Sequence, residues 1–179
     1  YGESELAKDM FLKFCDWGIN LTADLSDEQM EKMLGMEHGG MNEVYADAYQ
    51  IAGDKKYLIA AKRFSHHKFL KPLSKDIDNL DNQHANTQIP KFIGFERIAE
   101  LNNDKQYLEA ARFSWETITR NRSLAFGGNS RREHFPGESS CIDYVTVNDV
   151  PESCNSYNLL KLTEDLCRIS PAAKYADHS

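Results

Sequence analysis

Leu6, Met10, Phe14, Trp17 and Leu21 recur at spacings of four, four, three and four, which places all five on one face of a helix. Lys8, Asp9, Lys13, Asp16 and Asn20 lie between them. The pattern therefore predicts an amphipathic helix with Trp17 turned into a core. Cys15, inside the same pattern, reads as a buried structural thiol. Ser26 followed three residues later by Gln29 has the form of a capping box and predicts a second, shorter helix.

Beyond residue 40 the apolar pattern repeats. Gly53-Asp54-Lys55-Lys56-Tyr57-Leu58 runs into Ala60-Ala61, and fifty residues later Asn103-Asp104-Lys105-Gln106-Tyr107-Leu108 runs into Ala110-Ala111. Each reads as a turn followed by a new helix, with Gly or Asn in the left-handed position that ends the helix before. Ser170-Pro171-Ala172-Ala173-Lys174-Tyr175 is a looser third copy. Three helical hairpins are predicted, at about 41–69, 88–120 and 152–178. The fold class is all-α: stacked hairpins forming an open solenoid or part of an (α/α)-barrel. Trp115 is expected in the core, and the adjacent His66 and His67 on an outer surface.

In such a stack the first helices of successive hairpins run parallel, so their entrances share one end. Those entrances are Glu37-His38-Gly39-Gly40-Met41-Asn42-Glu43, then His84-Ala85-Asn86-Thr87-Gln88, then Pro151-Glu152-Ser153-Cys154-Asn155. Taken singly, each is as well explained by helix capping and turn formation. Three in register, carrying His, Glu, Cys and amide groups, predict a site.

Charge narrows the range of functions. The net charge is −7 and the 21 basic residues are scattered, with no face suited to displacing counterions from phosphates, which argues against a nucleic-acid binder. No run of eighteen apolar residues is present, so no membrane span is expected. Four cysteines without a CxxC pair do not make a disulfide scaffold in a chain of 179 residues.

Residues 121 to about 150 interrupt the helical pattern. Gly127-Gly128-Asn129-Ser130 marks a turn, while Ile142, Tyr144, Thr146 and Val147 look extended. This stretch carries Glu133, Glu138, Asp143 and Asp149 and leads to Glu152. Glycosidic bond cleavage needs a carboxyl group to protonate the departing oxygen and a second group to attack or stabilise the sugar carbon. By composition alone, a solvated acidic loop explains the same residues. Glu152 and Cys154 pair a carboxylate with a thiol, both good zinc ligands, and would supply half of a tetrahedral site. Cys141 is a candidate third ligand.

The ordered motifs Glu37-His38-Gly39-Gly40-Met41-Asn42-Glu43, His84-Ala85-Asn86-Thr87-Gln88-Ile89-Pro90-Lys91, Gly127-Gly128-Asn129-Ser130, Glu133-His134-Phe135, Glu152-Ser153-Cys154-Asn155 and Asn158-Leu159-Leu160-Lys161-Leu162 resemble the β-L-arabinofuranosidases of glycoside hydrolase family 127 and the related family 146. The resemblance covers the chain from about residue 35 to its end. It implies an (α/α)6-barrel catalytic domain acting, with retention, on L-arabinofuranosyl-containing oligosaccharides or polysaccharides through a zinc-bound cysteine nucleophile and a thioglycosyl intermediate. Carried over motif by motif, Glu133 resembles the acid/base, and Glu152 and Cys154 resemble two of four zinc ligands. His38, Asn42, Glu43, His84 and Gln88 lie in motifs that border the sugar pocket.

The same resemblance implies that the other two zinc ligands, the nucleophile among them, are cysteines beyond Ser179. Residues 1–179 are thus expected to form part of the barrel, truncated at both ends, with little hydrolysis in isolation. The uncovered flanks of a partial barrel are expected to self-associate. The compartment is not legible, and an exported or periplasmic location is favoured over the cytoplasm. Two other readings compete: a non-catalytic helical-repeat module that holds a glycan or protein, and a related barrel glycosidase acting on another sugar.

Overall fold

A computed structural model describes residues 4–36, 39–137 and 151–178. Among them the regular structure is helical: α1 (Glu5–Leu21), α2 (Asp27–Met36), α3 (Met41–Ala52), α4 (Lys55–Arg63), α5 (His67–Leu73), α6 (Ala85–Asn102), α7 (Lys105–Asn121), α8 (Ser153–Ile169) and α9 (Ala173–Ala176). The helix boundaries follow the local chemistry. Ser26 and Gln29 exchange the reciprocal hydrogen bonds of a capping box at 2.8 and 3.2 Å. Gly53 and Asn103 end α3 and α6 in the left-handed region, and Asp54 and Asp104 then cap α4 and α7 by accepting from Lys56 and Gln106 backbone N–H groups. The internal repeat is therefore a repeated helix-stop, helix-start device.

α6 lies at the centre, packed against α3 on one side and α8 on the other, with α7 behind it; α4 backs α3 and α9 backs α8. The three inner helices are parallel. Asn42 of α3 bonds the Lys91 carbonyl of α6, and Asp47 meets Arg97 five and six residues further along. Asn86 of α6 meets Asn158 of α8, and Glu100 meets Arg168 fourteen and ten residues further on. This is the predicted all-α stack of hairpins. The first hairpin departs from the expected 41–69 unit, because its outer layer breaks after Phe64 and restarts as α5, which packs on α7.

Fully buried Phe92 and Phe95 of α6 form the seam with the outer layer, the first against Phe69 of α5 and the second edge-on to Tyr107 of α7. Trp115 is buried as expected, and its indole N–H donates to Thr163 of α8 at 2.7 Å. Gly94 lets α6 approach α3 closely: a Cβ there would lie 2.2 Å from the Asn42 side chain.

Two expectations fail. Trp17 is not in the core but 55% exposed, and Leu6, Met10, Phe14 and Leu21 are exposed with it. The stripe is on one helix face, yet among the described residues α1 packs mainly on α3 through its other side, where Tyr45 donates to the Cys15 carbonyl, and Asp16 pairs with Lys56 of α4 at 2.8 Å. His66, expected outside, is buried at the start of α5. Its Nδ1 lies 3.0 Å from the buried Lys91 ammonium, which also donates to the Leu34 carbonyl at 2.9 Å. Burial and the adjacent Lys91 charge push the His66 pKa down to about 4. A polar pair at the end of α2 has replaced the solvent contact that the sequence pattern suggested.

Candidate active site

The segment after α7 is tied to the entrance of α6 by a short antiparallel clip. The Ala85 N–H donates to the Glu133 carbonyl at 2.8 Å, Phe135 N–H to the Gln83 carbonyl at 2.8 Å, and Asn82 N–H to the Phe135 carbonyl at 3.1 Å. Phe135 is fully buried beneath this clip. Ala85 is the first residue of α6, so one of the free N–H groups of the helix start is satisfied by the loop. Arg131 and His134 pair across a tight turn whose two central residues, Arg132 and Glu133, have φ of 47° and 69°. Left-handed backbone at two successive residues that are not glycine costs on the order of 1–3 kcal/mol each, and the surroundings must enforce it.

That turn presents the Glu133 side chain to solvent, with its carboxylate 3.6 Å from His84 Nε2. The His134 ring lies 5.2 Å from that of His84. His84, immediately before α6, and Glu133 therefore meet as neighbours although 49 residues separate them in sequence.

The same loop reaches α8. Fully buried Ser130 accepts a hydrogen bond from Asn155 Nδ2 at 2.5 Å and lies 3.5 Å from the Glu152 backbone N–H. Pro151 packs on Gly128, just ahead of α8. Glu152 is the residue before α8, and Cys154 Sγ donates to its carboxylate at 3.2 Å. Burial and then this carboxylate hold the Cys154 thiol above its ordinary pKa. A cleft of about 290 Å³, lined by Phe126, Gly128, Pro151, Glu152, Ser153 and Ser156, opens beside the pair. A larger cavity, about 550 Å³, is walled by α2, α4 and α5, none of which carries a candidate residue.

The pair has the chemistry and spacing of two zinc ligands. Tetrahedral zinc with bonds of about 2.3 Å to sulfur and 2.0 Å to oxygen sets those atoms about 3.5 Å apart. The described residues bring no third His, Cys, Asp or Glu to them. Cys15 is buried beneath α3 and Cys167 lies near the far end of α8, while Cys141 is outside the described residues.

The first hairpin contributes at a different depth. His38 lies outside the described residues. Asn42 is buried, its Nδ2 donating to the Lys91 carbonyl at 2.9 Å and its Oδ1 accepting from the Glu43 N–H at 3.1 Å, so it braces α3 against α6. Because Asn42 stands abreast of Lys91, five residues deeper into its helix than Asn42 is into α3, the start of α3 lies about 8 Å further along the stack than the start of α6. Glu43 accordingly pairs with Lys161, eight residues into α8, at 2.5 Å. Burial raises the Glu43 pKa against the pull of that lysine. Gln88 is buried one turn before Phe92, on the helix face that turns to the outer layer. Of the candidate residues, His84 and Glu133 thus stand side by side at one clip, Glu152 and Cys154 at the next, and Asn42, Glu43 and Gln88 lie deeper.

Against known families, a model of the β-L-arabinofuranosidase GH127 catalytic domain matches residues 1–179. The chain belongs to that family. A comparison with curated proteins found no match. Membership makes this a glycoside hydrolase domain and its substrate a glycan, and the parallel hairpins are the family's helical architecture. No described helix is long and apolar enough to cross a membrane.

Arg122, Ser130, His134 and Lys161 organise this region although none was a candidate from sequence. His134 had a signal, lying within the Glu133-His134-Phe135 motif. Arg122 had none, since its partners Asp78 and Asp81 lie more than forty residues away.

Proposed function

We propose that these residues supply the acid/base and half of a zinc site to a retaining β-L-arabinofuranosidase. Glu133 carries the reading: it rides on a strained turn pinned to the entrance of α6, solvent-accessible and beside His84. In the first half-reaction its carboxyl group would donate a proton to the glycosidic oxygen as the bond to the anomeric carbon breaks. In the second, the carboxylate would take a proton from the water that releases L-arabinose. His84 would hold a sugar hydroxyl while limiting how far the Glu133 side chain can swing.

Glu152 and Cys154 would hold zinc, which when bound keeps thiol ligands deprotonated and fixed in place. Asn155, through Ser130, ties those ligands to the loop that carries Glu133. The nucleophile used in this family has no counterpart assigned among Cys15, Cys141, Cys154 and Cys167.

The test is release of L-arabinose from p-nitrophenyl β-L-arabinofuranoside by the complete protein that carries this chain, alongside a panel of other glycosides. Selective release of L-arabinose, with zinc retained by the wild type and lost in Cys154→Ser, supports the reading. A folded, zinc-loaded protein that is silent on arabinofuranosides and active on another sugar would overturn the substrate assignment.

A further inference from the structure

Arg122 follows the last residue of α7, and its side chain is buried to 1% exposure. Its guanidinium spans both strands of the clip. Nε and Nη2 donate to Asp78 at 3.0 and 2.8 Å, Nη2 also to Asp81 at 2.6 Å, and Nη1 to the Pro136 carbonyl at 2.5 Å. Asp78 and Asp81 lie on the loop that leads into α6, and Pro136 on the loop that carries Glu133. Asp78 is itself fixed by the Thr117 hydroxyl at 2.8 Å and the Leu80 N–H at 2.9 Å. A planar fork of donors can satisfy acceptors on two strands at once, whereas a lysine ammonium acts as a point charge.

We propose that Arg122 is a positioning residue for the Glu133 carboxyl group. It locks the two strands in register and so maintains the left-handed turn that aims Glu133 past His84. Without it, the turn at Arg132 and Glu133 relaxes toward ordinary backbone angles and the carboxyl group swings off the glycosidic oxygen. The inference rests on the reading of Glu133 as the acid/base. It assigns no contact with substrate to Arg122.

The test uses the complete protein and two β-L-arabinofuranosides, one with p-nitrophenol and one with a sugar as leaving group. A p-nitrophenolate departs without a proton, but a sugar alkoxide needs one. kcat/KM for the sugar substrate therefore reports acid assistance, and the p-nitrophenyl substrate serves as the internal control. In Arg122→Lys, kcat/KM is expected to fall about 10- to 100-fold for the sugar substrate, the scale of an ångström-size misplacement, and to stay nearly unchanged for the p-nitrophenyl one. In Glu133→Gln the same selectivity is expected at full size, and adding Arg122→Lys to it should cost nothing more. Asp81→Asn, at the exposed end of the clamp, should give a weaker version of the pattern if Arg122→Lys does not fold. Equal losses on both substrates, or additive losses in the double variant, would overturn the inference and leave a structural role. If Glu133→Gln itself shows no dependence on leaving group, the acid/base reading fails first and the inference falls with it.

Discussion

Replacing Glu96 with Gln is predicted to stabilise the protein at pH 8 far more than at pH 5. Glu96 is fully buried on α6, and neither carboxyl oxygen has a hydrogen-bond partner among the described residues. Burial, reinforced by Asp165 of α8 and Glu100 one turn away, lifts its pKa to about 8, with Arg168 and Arg97 pulling the other way. Below an unfolded-state pKa of about 4.3 the group is neutral in both states, and its ionisation does not affect folding. From there to about 8 the unfolded chain releases a proton that the folded protein keeps, so stability falls by about 1.4 kcal/mol per pH unit. Above 8 the loss is constant. Roughly 3.5 units give an upper bound of about 5 kcal/mol, which water entry and relaxation reduce toward about 2. Gln mimics the neutral acid and has no such dependence. Thermal unfolding of wild type and Glu96→Gln from pH 5 to 8 should show Tm values that diverge as pH rises, by about 4–8 °C at pH 8. A difference that does not change with pH, or a variant less stable at pH 8, would refute the reasoning.

Asn42→Ala should destabilise the domain by about 1–3 kcal/mol, because the brace between α3 and α6 is lost in a buried setting; urea unfolding measures it. The isolated 179-residue chain is expected to self-associate through the exposed stripe of α1, and Phe14→Lys with Trp17→Lys to shift it toward monomer in light scattering. An unchanged mass would remove that stripe as the cause.

The helices and the shared end of α6 and α8 were legible because each depends on local signals. A left-handed stop at Gly53 or Asn103 followed by an Asp cap identifies a hairpin without knowledge of its neighbours. The depth of each entrance was not legible. Nothing in Met41-Asn42-Glu43 says that α3 starts about 8 Å further along the stack, since this follows from Asn42 meeting Lys91 of α6. His66 failed for a related reason: its place in the second helix of a hairpin reads as an outer surface, and its burial depends on contacts with Glu31 and with Lys91, 35 and 25 residues away. Trp17 failed because periodicity identifies an apolar face but not whether a partner covers it. Glu133 and Glu152 stand in motifs that can be read from the sequence, whereas the clamp at Arg122 depends on contacts that no spacing rule reaches.

The central claim is that Glu133 moves the proton in glycoside cleavage. The most direct test is release of L-arabinose from a β-L-arabinofuranosyl disaccharide by the complete protein, wild type and Glu133→Gln. A loss of about 100- to 10,000-fold in the variant, with fold and zinc content unchanged, is the predicted result. Equal rates for the two proteins would contradict it and move the acid/base elsewhere.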